Sequence, residues 1–238
     1  MNHFLKKKGK FVIFGQGRSG STLLKQLLHS HPAINCDGEL LNVKDNYITN
    51  PFALRLAYKF PIRFFNFRSR ISKNELYGFT LLFYQYYPQR YLLEKLHNNG
   101  WRVIHITREN DFLQSISHFV ARQTNLWHRT HEHSDHLQKV LIDPNEFLSW
   151  IKLLAKNKAT ENEIFKNLDH FRVVYENDLQ QEDLWPNITS RIFEFLNTCQ
   201  APVSAGIKKT YARPYSEIVE NYDGLLLFLK KNNVSLNI

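Results

Sequence analysis

The stretch Phe11-Val12-Ile13-Phe14-Gly15-Gln16-Gly17-Arg18-Ser19-Gly20-Ser21-Thr22-Leu23-Leu24 decides the fold. Its first four residues are apolar, β-rich and stop at a glycine, as a buried strand of a parallel sheet does. From Ser21 to His31 the leucines Leu23, Leu24, Leu27 and Leu28 keep helical spacing, and Pro32 ends the helix. Strand, glycine loop and helix in this order make an anion cradle. The glycines let the backbone turn so that N–H groups converge, and the helix start adds unpaired donors and the positive end of its dipole. Gly15, Gly20 and Thr22 stand at the spacing of a nucleotide-binding loop, GxxxxGK followed by Ser or Thr, but Ser21 occupies the lysine position. Phosphoryl transfer from ATP or GTP then lacks its β/γ-phosphate clamp. A strand expected over residues 101–107 ends in Thr107-Arg108 and not in the aspartate that would hold Mg²⁺. The loop is suited to grip a phosphate, and the ATPase machinery is missing.

Outward from the loop, strands are expected at residues 33–36, at 101–107 after the Asn98-Asn99-Gly100 turn signal, and at 171–175. Asp111 is expected to cap a helix with Phe112, Ile116, Phe119 and Val120 on its apolar face. Asp143-Pro144 opens a long helix toward Leu168, another helix covers about Trp185 to Cys199, and a last one begins near Tyr215. Strands alternating with helices indicate an α/β fold, a three-layer α/β/α arrangement of the P-loop type around a central parallel sheet, with ligands at the carboxyl ends of the strands.

The chain has 238 residues, and 31 Lys plus Arg against 22 Asp plus Glu leave a formal charge of +9. One domain over residues 1–238 is the expectation at this length. With 18 Phe, 11 Tyr, 9 Gly and 8 Pro, disorder is excluded. The positive balance asks for a polyanionic partner, a nucleic acid, an acidic membrane surface or a phosphorylated small molecule. Cys36 and Cys199 cannot build a disulfide framework, which fits a reducing, cytoplasmic setting. The apolar run after Lys6-Lys7-Lys8 is too short for a signal-peptide core or a membrane span, so a soluble protein is expected.

Gly17-Arg18-Ser19-Gly20-Ser21-Thr22-Leu23-Leu24 resembles the 5′-phosphosulfate loop of the sulfotransferase family. Arg108, with Ser117 nine residues on and Ala121-Arg122-Gln123-Thr124 after it, resembles that family's 3′-phosphate site. The spacing is that of the bacterial carbohydrate sulfotransferases related to the trehalose and nodulation-factor enzymes. Tyr175-Glu176-Asn177-Asp178-Leu179 is similar to the YExL run after a late strand, and Ile192 to Asn197 to the FLG-type helix, here without its glycine. Lys208-Lys209 before Arg213-Pro214 resembles the C-terminal basic loop that closes over the nucleotide, though without the RKG triplet of the cytosolic enzymes.

The resemblance implies a donor, 3′-phosphoadenosine 5′-phosphosulfate, and in-line transfer of its sulfuryl group to a hydroxyl of a carbohydrate or glycolipid. Gly17, Arg18, Ser19, Gly20, Ser21 and Thr22 would hold the phosphosulfate, with Arg18 stabilising the leaving oxygen. Arg108 and Ser117 would hold the 3′-phosphate, with Lys208 and Lys209 closing over the nucleotide. Glu39, in Cys36-Asp37-Gly38-Glu39-Leu40-Leu41, stands where the bacterial enzymes carry a general base. Asp37 is the nearby alternative, and Glu39 could instead cap or pair with Arg18. Arg122 could reach a ligand or face solvent. No metal is required, because a sulfuryl group carries less charge than a phosphoryl group.

His128, His131, His133 and His136 lack the HExxH pattern of a metal pair and lie in a segment expected as loop, residues 124–142, which reads as a lid on the acceptor side. Tyr58 to Arg70 interleaves aromatics with Arg63, Arg68 and Arg70. That segment could stack sugars, make peripheral contact with anionic lipid, bind single-stranded nucleic acid, or be core aromatics with a basic edge. Thr80 stands where the family strand has lysine. A P-loop kinase or hydrolase, disfavoured by Ser21 at the lysine position, and a basic nucleic-acid-binding protein, suggested by the +9 charge, remain as rival functions.

Overall fold

The computed structural model describes residues 9–42, 50–86, 91–127, 139–206 and 214–234. The chain divides into two compact units, residues 1–107 with 165–204 and residues 108–164 with 205–238.

The first unit is built on five strands: β1 (Gly9–Gly15), β2 (Ile34–Glu39), β3 (Leu76–Leu82), β4 (Arg102–Thr107) and β5 (Phe171–Val174). They form one all-parallel sheet in the order β2-β3-β1-β4-β5. Between them run α1 (Ser21–His29), α2 (Pro51–Lys59), α3 (Pro61–Ile71), a single turn α4 (Phe83–Tyr86) and α5 (Leu92–Asn98). All seven residues of β3 are buried, the mark of a strand covered on both faces. The connections β1 to β2 and β3 to β4 run in opposite directions across the sheet. Right-handed crossovers therefore place their helices on opposite faces.

On one face α1, with Leu24, Leu27 and Leu28 buried, packs with α8 (Trp185–Leu196), and the His31 ring lies 4.6 Å from Phe193. On the other, α3 packs with α5. There Phe65 stacks on Phe79 at 4.2 Å, and Trp101 meets Phe79 edge-on at 5.2 Å. The strand order reverses beside β1, so the loop at its carboxyl end occupies the position where parallel α/β sheets bind ligands.

The second unit contains α6 (Asp111–Thr124), most of α7 (Pro144–Phe165), α9 (Tyr215–Ile218) and α10 (Tyr222–Lys231); α8 (Trp185–Leu196) belongs to the first unit. Its core joins Phe112, Phe119, Phe147, Ile151, Leu225 and Leu229. Asn221 clips the segment before α7, its side chain accepting from Ile142 N at 3.2 Å and donating to Ile142 O at 2.7 Å.

Three details differ from the sequence expectation. The cap of α6 is Asn110, which accepts from Leu113 N at 2.7 Å, and Asp111 is instead the first helical residue, paired with Lys158. Strand β2 runs three residues further than expected, to Glu39, because it pairs with β3 through a bulge at Gly38. Helix α8 stops at Leu196, and Asn197 adopts the left-handed conformation (φ 54°) that a glycine usually supplies at a helix end.

Candidate active site

The loop after β1 is constrained at both ends. A Cβ on Gly15 would lie 2.2 Å from the Ile106 carbonyl, so β1 and β4 could not keep their register with any larger residue. Gly20 has φ 95°, and a Cβ there would lie 2.6 Å from the Tyr175 ring. Glycine is required twice over at this position, once by the backbone and once by the tyrosine packed against it. Arg18 is also left-handed, with φ 63°. Such a conformation costs a non-glycine residue about 1 kcal/mol and marks a loop held in shape by its surroundings.

The loop delivers the chain to the start of α1 in a form suited to an anion. The cap residue Gly20 offers no side-chain bond, and the first turn carries no acidic residue. The first N–H groups of a helix have no intrahelical partner, so here they and the dipole are available to a ligand. Ser19 is fully buried, and its hydroxyl has no hydrogen-bond partner among the described residues. A buried, unsatisfied hydroxyl is costly, and an oxyanion bound in the loop would complete this one. Ser21 is buried and Thr22 is half-buried at the same helix start. Around Gly17 a Cβ would meet nothing within 4 Å, so the loop's outer side is open.

The bulge in β2 separates two carboxylates that a regular strand would send to the same side. In the register Asp37 opposes Phe79 and Glu39 opposes Thr80, which leaves Gly38 as the extra residue. Asp37 turns toward α3, where its Oδ2 accepts from Arg68 and from the Tyr77 hydroxyl, both at 2.6 Å. Burial works to lower the Arg68 pKa, but hydrogen bonds with Asp37 and Tyr77 outweigh it and raise the value. Burial, then the charge of Asp37, pushes the Tyr77 phenol well up, so it stays a donor. Asp37 is committed to this structural triad.

Glu39 turns toward α4. Its Oε2 accepts from the Tyr84 hydroxyl at 2.7 Å, from Gln85 Nε2 at 2.9 Å and from Asn42 Nδ2 at 3.2 Å. Gln85 is itself 2% exposed and fixed, accepting from Leu82 N at 3.0 Å and touching the Tyr84 oxygen at 3.1 Å. Beside Glu39, Thr80 is buried and its hydroxyl has no hydrogen-bond partner among the described residues. The result is an oriented carboxylate at the carboxyl end of β2.

In the second unit, Arg108 is the first residue after β4, and its carbonyl accepts from Lys158, which also pairs with Asp111. Ser117 lies buried on α6. Arg122 is paired on the surface with Glu146 at 2.6 Å and lies over the Phe119 ring at 4.8 Å. That bond is the main cause lowering the Glu146 pKa. Lys208, Lys209 and the cluster His128 to His136 lie outside the described residues, as does most of the expected lid.

Residues 10–64 match the sequence model of the sulfotransferase family, a span that holds the glycine loop and Glu39. The match covers less than half of the chain, so the likeness to the sulfotransferase family is carried by this segment. Nodulation protein H of Rhizobium tropici is 29% identical over 156 residues, which cover 64% of this chain and 62% of that protein. The chain thus matches less than two thirds of that relative's length. Among solved structures, a sulfotransferase from Alicyclobacillus acidocaldarius is similar at TM-score 0.50 and 13% identity, covering 94% of this chain and 95% of that one. The sulfotransferase domain of the Synechococcus PCC 7002 olefin synthase is similar at TM-score 0.52 and 13% identity, covering 100% of this chain and 92% of that one. These two likenesses bear on the fold, and the α/β fold with a parallel sheet agrees with them.

The sequence pointed to the loop and to Glu39, but it missed Tyr84, Gln85 and Asn42 as the groups that donate to the carboxylate. No sequence signal identifies them: Tyr84 and Gln85 are more than 40 residues from Glu39, joined to it only by strand pairing.

Proposed function

We propose that the chain moves a sulfuryl group from 3′-phosphoadenosine 5′-phosphosulfate to a hydroxyl of a carbohydrate or glycolipid. One observation carries the reading: an uncapped, acid-free helix start with a buried, unsatisfied Ser19 hydroxyl follows the glycine loop of the family-matched segment. That donor set fits a phosphosulfate, which offers oxygens to N–H and O–H donors and takes none of their protons. The carbohydrate class of the acceptor rests on the resemblance to the bacterial enzymes in the Arg108 to Ser117 spacing and in the place of Glu39.

In the proposed reaction the acceptor oxygen bonds to sulfur as the bond from sulfur to the bridging phosphate oxygen breaks, in line. Negative charge collects on that bridging oxygen. Arg18, Ser19, Ser21, Thr22 and the N–H groups of the α1 start stabilise it there, where preorganised donors act with little reorganisation. The proton leaving the acceptor hydroxyl passes to the Glu39 carboxylate, which Tyr84, Gln85 and Asn42 hold in one orientation. Asp37 is not assigned this role, because Arg68 and Tyr77 already occupy it. The proposal gives Arg108 and Ser117 the 3′-phosphate and Lys208 and Lys209 a closing role at the nucleotide. The reaction as written uses no metal, and one domain in a reducing, cytoplasmic setting carries it.

The test is a thermal shift with 3′,5′-adenosine bisphosphate against ATP plus Mg²⁺. At a ligand concentration of about 100 Kd, binding adds about 2.7 kcal/mol, or about 5–10 °C for a chain of this size. The bisphosphate is expected to give that shift, Arg108→Ala to abolish it, and ATP with Mg²⁺ to give little. A shift with ATP and Mg²⁺ alone supports the kinase reading, and tight, salt-sensitive oligonucleotide binding indifferent to the bisphosphate supports the nucleic-acid reading.

A further inference from the structure

Helices α2 and α3 present a surface that the proposed chemistry does not use. Phe52 is 69% exposed, and Leu56 follows it at i+4 on α2; Phe67 is 58% exposed, and Ile71 follows it at i+4 on α3. Each pair makes a stripe along the outside of its helix. Ala57 on α2, and Phe65 and Ser69 on α3, are buried and mark the inward side. At the corner between the helices the half-exposed Phe60 ring has Lys59 Nζ at 5.5 Å and the Arg63 guanidinium at 5.6 Å.

The charge of this surface has one sign. Between Asn50 and Asn74 there is no Asp or Glu, while Arg55, Lys59, Arg63, Arg68, Arg70 and Lys73 are all cationic. Only Arg68 turns inward, to Asp37; the other five are exposed. Exposed apolar stripes flanked by cations, with no acidic residue among them, match the two layers of one partner. A bilayer offers an acyl boundary for the apolar tips and anionic headgroups for the cations. A single-stranded nucleic acid would use the rings and the cations but leave Leu56 and Ile71 without a role.

We propose that the α2–α3 surface docks on an anionic phospholipid bilayer. The contact is peripheral, since no helix among the described residues is long and apolar enough to cross a membrane. Docking stands independently of the sulfuryl-transfer reading, because it needs neither donor nor acceptor.

The experiment is co-sedimentation of the full chain with phosphatidylcholine vesicles containing about one third phosphatidylglycerol, against pure phosphatidylcholine, where each cation near an anionic surface is worth about fivefold in partitioning. The expected result is binding at least about 25-fold tighter to the anionic vesicles, falling on the order of 100-fold in Arg63→Glu/Arg70→Glu. Phe52→Ser/Phe67→Ser, which keeps the charge, is expected to lose at least about 10-fold, from burial of apolar area. All four positions are exposed, and an unchanged melting temperature checks that the variants fold. Phe67→Trp is expected to gain fluorescence quenched by lipids brominated on the acyl chain. Equal binding to neutral vesicles, variants that bind like the wild type, or no added quenching overturns the proposal. So does a dimer broken by the Phe substitutions with no vesicle binding, or an oligonucleotide that binds this face more tightly than the vesicles do.

Discussion

Two carboxylates two residues apart on one strand have opposite fates. Asp37 faces the α3 layer, where a guanidinium and a phenol satisfy it and anchor helix to sheet. Glu39, displaced by the bulge at Gly38, faces α4 at the carboxyl end of the sheet, where Tyr84, Gln85 and Asn42 donate to it. The Arg68 and Tyr77 bonds tie Asp37 to the packing of α3 on the sheet, whereas the amide and hydroxyl donors orient Glu39 at the sheet's carboxyl end. Register, more than residue type, decides which surroundings each carboxylate meets.

That contrast is broken most directly at Glu39. Glu39→Gln is expected to retain the bisphosphate-induced thermal shift while sulfuryl transfer falls about 100-fold or more; transfer that survives moves the base elsewhere. Asp37→Asn should behave in the opposite sense. It leaves Arg68 half-buried without its anion, so about 1–3 kcal/mol of stability is lost and the melting temperature falls by about 2–12 °C, with kcat changed less than about threefold. A collapse of kcat at wild-type stability would reverse the two roles.

Gln85→Leu sharpens the comparison from the second element. It frees the Glu39 side chain and leaves Leu82 N–H unpaired, so kcat is expected to drop about 10-fold with KM for the donor little changed, alongside about 1–2 kcal/mol of lost stability. A donor-KM effect with normal kcat would show that Gln85 shapes the nucleotide site instead. The smallest effect is expected for Tyr84→Phe, because Tyr84 is exposed, Gln85 and Asn42 still hold Glu39, and the lost Tyr84–Glu39 hydrogen bond is worth about 0.5–1 kcal/mol to its orientation. Steady-state kinetics should read about a twofold to fivefold loss in kcat.

Much of the molecule was legible because its signals are local. The loop after β1 declares itself through glycine spacing, and the structure supplies the reason at Gly20, whose positive φ and contact with Tyr175 both exclude a side chain. The apolar runs of β1 and β4 and the long helix opening at Pro144 followed from periodicity and breakers. Where expectation and structure parted, a short-range choice was settled by a long-range contact. Asp111 was a reasonable cap, but Asn110 takes that role while Lys158, 47 residues away, engages Asp111. The aromatic and basic segment 58–70 was open among several uses, and the structure divides it, burying Phe65 against Phe79 and leaving Phe60 and Phe67 outside.

By itself the sequence determined the α/β class, the anion-gripping loop without its lysine, and the two carboxylates from which a base would be drawn, since backbone turns, helix starts and residue chemistry are properties of short segments. Only the tertiary structure sent Asp37 to Arg68 and Tyr77 and Glu39 to Tyr84 and Gln85, and exposed one cationic, apolar face of α2 and α3. Those outcomes depend on which strands pair, in what register, and which side of a helix meets the sheet, and each is fixed by contacts between residues tens of positions apart.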